Sequence, residues 1–275
     1  MASRAGFLIS FEGIEGCGKS TQAKLLAKRL EKSGRPCLLT REPGGTRIGR
    51  EIRKVLLHPA HQRMAPEVEL ALYFADRAQH LKEVIWPALE EGRIVITDRF
   101  TDSSIAYQGF ARGLSRRLIH SLDRLMTGGF RPRFTVLLDL RPEHGLRRAR
   151  VRNQQTRRSR TQGRFELERL EFHRRVRKAY LQLARQERRR YIVVPAQGNR
   201  LQIHEEIWKL LAPRMSSRQP GAEKVIRTRR ERSEPGAPPS AASLRAEDSE
   251  RTKRERALRN APTKTRSRGG GHHED

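Results

Sequence analysis

Residues 13–20 read Gly13-Ile14-Glu15-Gly16-Cys17-Gly18-Lys19-Ser20. They sit between an apolar run, Phe7-Leu8-Ile9-Ser10-Phe11, and a helical pattern that begins at Thr21. Two glycines with four residues between them, followed by Lys and Ser, form a complete phosphate-binding loop. The glycines let backbone N–H groups turn inward around phosphates, Lys19 brings a point charge to the β- and γ-phosphates, and the Ser20 hydroxyl suits Mg²⁺. A strand before the loop and a helix after it set it apart from an ordinary Gly-rich turn. The chain is therefore expected to bind a nucleoside triphosphate.

Working outward, apolar runs of strand length recur at residues 7–11, 37–40, 94–97, 134–140 and 191–194. Each is continuous rather than alternating, as parallel strands covered on both faces require. Helical patterns lie between them. Residues 21–32 present Leu25, Leu26 and Leu30 before Gly34 and Pro36, and Ile48, Ile52, Val55 and Leu56 keep helical spacing. Pro66 opens a long segment that closes at Gly92, with Pro87 expected to kink or shorten it. Ser115 is placed to cap a helix carrying Leu118, Ile119, Leu122 and Leu125, which stops at Gly128-Gly129. Alternating strands and helices predict an α/β fold, a doubly wound three-layer P-loop domain on a central five-stranded parallel sheet. In such a fold ligands collect beyond the carboxyl ends of the strands, where the phosphate loop, Arg41-Glu42-Pro43-Gly44-Gly45-Thr46 and Asp98-Arg99-Phe100 all fall.

From residue 216 the composition changes to Pro, Ser, Arg and Glu with few apolar residues, too little to offset the entropy of ordering. The expected organisation is one domain over residues 1–213 and a basic disordered tail over 214–275. Residues 216–275 hold 15 Lys and Arg against 9 Asp and Glu, a net +6, so +22 of the +28 total belongs to the folded part. Such charge suits polyanionic partners, and nucleotide phosphates satisfy it as well as nucleic acid does. Aromatics make up only 5%, which weakens a reading based on stacked single-stranded bases, and nothing in the tail identifies a nucleic-acid target. Two cysteines, Cys17 and Cys37, offer neither a disulfide framework nor metal-ligand spacing, which points to the reducing cytoplasm. No apolar stretch is long enough to cross a bilayer.

Four segments together resemble the thymidylate kinase family. They are residues 11–21 around the loop; Arg41-Glu42-Pro43-Gly44-Gly45-Thr46; Ala75-Asp76-Arg77-Ala78-Gln79-His80; and Asp98-Arg99-Phe100 with Ser103-Ser104-Ile105-Ala106-Tyr107-Gln108-Gly109 after it. The resemblance spans about Gly6 to Pro213 and leaves out the tail. It implies transfer of the γ-phosphoryl of ATP to dTMP with Mg²⁺, in a cytoplasmic homodimer. ATP would be held by Gly13, Ile14, Glu15, Gly16, Cys17, Gly18, Lys19, Ser20, Thr21 and Arg150. The metal would be held by Ser20 and Asp98, with Glu42 in the surrounding network. Arg99 would grip the acceptor 5′-phosphate, Glu15 would read the sugar 3′-hydroxyl, and Tyr107 would pack against the deoxyribose. Tyr73 and Arg77, at i and i+4, would stack on thymine and bond its O4 edge, with Phe74 the alternative stacking residue. Pro43, Ser103, Ser104 and Gln108 would complete the acceptor site.

One branch of the family carries an Arg inside the phosphate loop, where this chain has Gly16. The other puts arginines in a lid, and residues 150–166 offer Arg157, Arg158, Arg160 and Arg164, of which Arg160 and Arg164 are the expected catalytic cations. The lid commonly reads Asp-Arg-Phe-Glu; here Gly163 replaces the Asp. Arg150 and the Pro195-Ala196-Gln197-Gly198 turn would seat the donor base. Two alternatives remain: a related nucleoside-monophosphate or deoxynucleoside kinase with another acceptor, and a nucleic-acid-binding P-loop ATPase.

Overall fold

The computed structural model describes residues 6–155 and 162–216. Five strands, β1 (Phe7–Glu12), β2 (Cys37–Arg41), β3 (Ile94–Asp98), β4 (Phe134–Asp139) and β5 (Tyr191–Pro195), form one sheet in the order β2-β3-β1-β4-β5, with every pairing parallel. The β1, β3 and β4 side chains are almost all buried, in accord with their continuous apolar runs. Each strand lies within a residue of its expected position. Helices α1 (Lys19–Lys32), α2 (Arg47–Leu57), α3 (Pro66–His80), α4 (Trp86–Glu90), α5 (Thr101–Ser104), α6 (Arg116–Thr127), α7 (Pro142–Gln155), α8 (Leu170–Gln186) and α9 (Arg200–Ser216) make up the other layers. The β1–β3 register sets Phe11 opposite Asp98, so the phosphate loop and the Asp98-Arg99 pair leave the sheet side by side at its switch point.

Pro87 is accommodated rather than breaking the segment. Between α3 and α4 the chain widens into a π-helical turn over Leu81–Ile85, where the Trp86 N–H reaches back to the Leu81 carbonyl. A second π segment, Ile105–Ala111, carries Tyr107 and Gln108, and nothing in the apolar spacing announces it. Two amphipathic stripes depart from expectation. Of the four apolar α2 positions only Leu56 is fully buried while Ile48 and Val55 are exposed, and on α6 Ile119 alone of the four apolar positions is fully buried. Asp123 and Thr127 complete the inward α6 face, where Asp123 accepts from Thr101 Oγ1 at 3.0 Å. Ser115 occupies the N-cap of α6 without a side-chain hydrogen bond. Helix α9 continues past Pro213, and Met215 is buried. Residues 214–216 of the expected disordered tail are instead the end of α9, and the rest, from residue 217 on, lies outside the described residues.

Candidate functional site

A cleft opens at the carboxyl edge of the sheet, with the phosphate loop on one wall and α3, the 105–111 segment and the lid base on the other. On the loop side, Lys19 Nζ donates to the Gly13 and Ile14 carbonyls at 3.0 and 2.8 Å, which holds the ammonium over the loop. Ser20 Oγ donates to Asp98 Oδ2 across the β1–β3 junction. Two hard oxygens side by side next to a phosphate cradle fit Mg²⁺, a cation that binds through few protein oxygens and completes its shell with phosphate and water. Gly16 could not carry the loop Arg of the other family branch. Its φ is +71°, and a Cβ there would meet the Gly145 carbonyl oxygen at 2.0 Å.

Arg99 comes next in the chain. Its φ of +78° is the one left-handed value among the described non-glycine residues, and it turns the side chain back over the loop. Nη2 donates to Glu15 Oε1 at 2.9 Å and to the Tyr107 hydroxyl at 3.0 Å. Nη1 donates to Ser103 Oγ at 3.1 Å and to Tyr180 at 3.3 Å, and the guanidinium stacks 4.7 Å above the Tyr107 ring. Burial by itself would push the Glu15 carboxyl up, but His173, whose Nδ1 lies 3.1 Å away, and Arg99 reverse that and hold it well below the usual carboxylate range. Tyr107 also donates to Glu15 at 2.7 Å. Behind this group, Ser103 and Tyr180 both donate to Glu12 Oε2, whose carboxyl is pushed up by burial and by Asp102.

On α3, Tyr73 faces the cleft while Phe74 is fully buried beneath Arg77, with the guanidinium 4.9 Å from its ring; of the two, only Tyr73 lines the cleft. Burial raises the Tyr73 phenol to about 12, so it stays protonated. Arg77 departs from expectation in that it is buried behind the cleft wall. Its Nε donates to Glu42 Oε2 at 2.8 Å, and its Nη1 donates to Ser104 Oγ, which does line the cleft, at 3.1 Å. Glu42, expected in the metal network, lines the cleft, and each of its oxygens also has a protein partner, Arg77 on one and His80 Nδ1, at 2.9 Å, on the other. Glu42 thereby braces Arg77, and Pro43 beside it lines the cleft as well.

The lid divides. Arg157, Arg158 and Arg160 lie outside the described residues. Arg164 does not face the cleft as a catalytic cation should. It is buried at 1% exposure, and its Nη1 donates to Glu69 Oε2 at 2.7 Å. At the donor end, Arg148 Nη1, rather than Arg150, reaches the Ala196 carbonyl after β5 at 3.1 Å. Both side chains are exposed, and residues two apart on a helix point to different sides. The cleft also takes Phe165 and Glu166 of the lid motif, and Arg53, Arg152 and Asn153, to which the sequence assigns no role. Arg53 donates to the Pro43 carbonyl at 2.9 Å, and burial lowers its pKa to about 10.

What faces this cleft is a phosphate cradle on one wall and a cationic, hydroxyl-rich recess on the other, the two-ligand arrangement of the P-loop nucleotide kinases. Similarity to known proteins narrows the class. The thymidylate kinase family model matches residues 11–207. The thymidylate kinase of Syntrophotalea carbinolica is 51% identical over 202 residues, which is 74% of this chain and 93% of that protein. That of Trichlorobacter lovleyi is 51% identical over 208 residues, 76% of this chain and 98% of its own length. The crystal structure of thymidylate kinase from Ehrlichia chaffeensis superposes with a TM-score of 0.60 at 31% identity, covering 75% of this chain and 98% of that one. The chain belongs to the thymidylate kinase family.

Proposed function

We propose that this protein phosphorylates dTMP to dTDP with ATP as donor and Mg²⁺ as cofactor. The observation that carries the reading is one cleft lined at once by the phosphate loop, by Asp98-Arg99 and by Tyr73, Ser104, Tyr107 and Gln108. Ser20 and Asp98 would hold Mg²⁺, which supplies charge neutralisation on the phosphates. Lys19 and the backbone N–H groups of residues 13–21 hold the donor phosphates, and Arg148 is a better candidate than Arg150 for the donor-base end. An oxygen of the acceptor 5′-phosphate attacks the γ-phosphorus in line, the bond to the bridging oxygen breaks, and ADP leaves. The protein supplies no nucleophile; it aligns two phosphates and offsets their charge.

Arg99 grips the acceptor phosphate, and Glu15, kept ionised, accepts from the sugar 3′-hydroxyl. Tyr107, braced by Arg99 and Glu15, closes the space beside C2′. Tyr73 stacks on the base, and Arg77 acts on its O4 edge through or beside the Ser104 hydroxyl. The remaining lid cation is assigned to Arg160, since Arg164 is committed to Glu69. The working unit is residues 1–213 extended to the end of α9, with the basic tail dispensable. Exposed Ile48, Val55 and Val68 on the neighbouring helices α2 and α3 favour a homodimer. The free, buried Cys17 and Cys37 suit a reducing cytoplasm, and among the described residues no helix is long and apolar enough to cross a membrane.

The test is a coupled ADP-release assay with dTMP, dUMP, dCMP and AMP, on the full chain and on a chain ending at residue 216, beside light scattering of both. The reading requires dTMP preference in both forms and a dimer mass. ADP release stimulated by polynucleotide and indifferent to dTMP would replace it with an ATPase.

A further inference from the structure

Behind the base-binding end of the cleft lies a buried charged cluster that phosphoryl transfer does not use. Glu69 on α3 is fully buried, Gln108 and Arg164 each show 1% exposure, and Arg112 covers the group from the side. Gln108 Nε2 donates to Glu69 Oε1 at 2.7 Å. Arg164 Nη1 donates to Glu69 Oε2 at 2.7 Å, with Nη2 also in contact, and Arg112 Nη2 stands 3.3 Å from the same oxygen. Arg112 is itself held by Glu168 Oε1 at 2.6 Å.

A carboxylate gripped by two guanidinium groups accepts hydrogen bonds and donates none. It therefore dictates which way the Gln108 carboxamide faces, a matter that neighbouring acceptors and donors ordinarily decide. The NH₂ must turn to Glu69, and Oε1 is the atom left for the cleft that Gln108 lines. Four residues earlier, Ser104 Oγ accepts from Arg77 and keeps its own proton to donate. The wall thus presents a donor beside an acceptor. Thymine and uracil match it with O4 and N3–H, whereas cytosine offers an amino group and a bare N3, the reverse pattern.

We propose that Glu69, clamped by Arg164 and Arg112, is the positioning residue that sets acceptor-base choice, by turning the Gln108 carboxamide so that its oxygen faces the cleft. The inference rests on the dTMP reading above and adds the residue that enforces it. In Glu69→Gln the side chain offers either an acceptor or a donor, so the Gln108 amide is free to turn over and meet cytosine.

The experiment measures kcat/KM for dTMP and dCMP on the full chain, wild type and Glu69→Gln. The dTMP-to-dCMP ratio should fall at least ~10-fold in the variant, through a higher KM for dTMP with kcat nearly retained. A folded variant that keeps the wild-type ratio overturns the role of Glu69. A wild type that uses dCMP as well as dTMP overturns the parent reading and this one with it. Because the variant could fail to fold, the wild type is also followed by NMR, with the Gln108 carboxamide assigned from its loss in Gln108→Met. Its N–H protons should resist exchange with and without dTMP while dTMP shifts its carbonyl carbon; rapidly exchanging N–H protons overturn the proposal.

Discussion

Replacing Arg99 by Lys isolates what the guanidinium fork contributes, because Lys keeps the charge and meets the same left-handed backbone at φ +78°. In the wild type two nitrogens serve five acceptors: Gly13 O, Ser103 Oγ, Tyr180, Glu15 and Tyr107. A single ammonium cannot span Glu15 on one side and Ser103 on the other, nor grip a phosphate through two parallel N–H bonds. One lost charge-assisted bond to the acceptor phosphate is worth about 2 kcal/mol, or roughly 30-fold in kcat/KM for dTMP. Glu15 would keep Tyr107 and His173, so it stays ionised and the fold survives. The assay is steady-state ADP release against dTMP at saturating ATP, with thermal unfolding measured beside it. The expected result is a loss of about 10- to 100-fold that falls on dTMP and leaves the KM for ATP in place. A kcat/KM within about threefold of wild type, at unchanged Tm, would refute the assignment of Arg99 to the acceptor phosphate.

Arg164→Ala should behave as a stability variant. It strips a buried carboxylate of its main partner, so about 3 kcal/mol and roughly 6–12 °C of Tm are lost while kcat below the transition is retained; a catalytic arginine would show the opposite pattern by calorimetry and turnover. Gly16→Ala places a Cβ against the Gly145 carbonyl and in a left-handed backbone, so at least ~2 kcal/mol should be lost and ATP binding by titration calorimetry should weaken. Asp76 gives a pH signature. Burial, then the nearby Glu42, raise its carboxyl to about 7 against the bond from the Gly44 amide and the charges of His80 and Arg77. The folded chain therefore binds this proton more tightly than the unfolded chain, and stability from this group is full below about 4, falls through about 7, then levels. Asp76→Asn, which can still accept from Gly44, should gain Tm relative to wild type as pH is raised from about 5 to about 8; a constant difference across that range would refute the linkage.

Much of the fold is legible because buried parallel strands are continuous apolar runs, and the strongest of them lead straight into Gly-rich or charged turns. The phosphate loop, Asp98 and Arg99 can be placed from that alone, since the residues after a parallel strand must emerge at one rim. The failures are of two kinds. Where arginines crowd a helix, as at Arg147, Arg148, Arg150 and Arg152, spacing does not reveal phase, and that Arg148 is the one to reach the turn after β5 is visible only in the structure. Where charged groups pair inside the protein, composition reads them as surface or as catalysts. Glu69, Arg164, Glu42 and His80 are buried only because distant segments bring their partners to them. The signal for Glu69 is an acid on the apolar side of α3, next to Leu70 and four residues before Tyr73. The exposed apolar positions of α2 and α6 escape for the opposite reason, since helical spacing reports an apolar stripe without saying what covers it.

The central claim is that two nucleotides lie end to end in this cleft so that one phosphoryl group passes between them. Phosphorus NMR of the protein with ATP, Mg²⁺ and dTMP tests it directly, because donor, acceptor and product phosphates resolve in one spectrum. The dTMP signal should be replaced by the paired α and β resonances of dTDP in step with the appearance of ADP. Growth of inorganic phosphate with the dTMP signal untouched would contradict the claim.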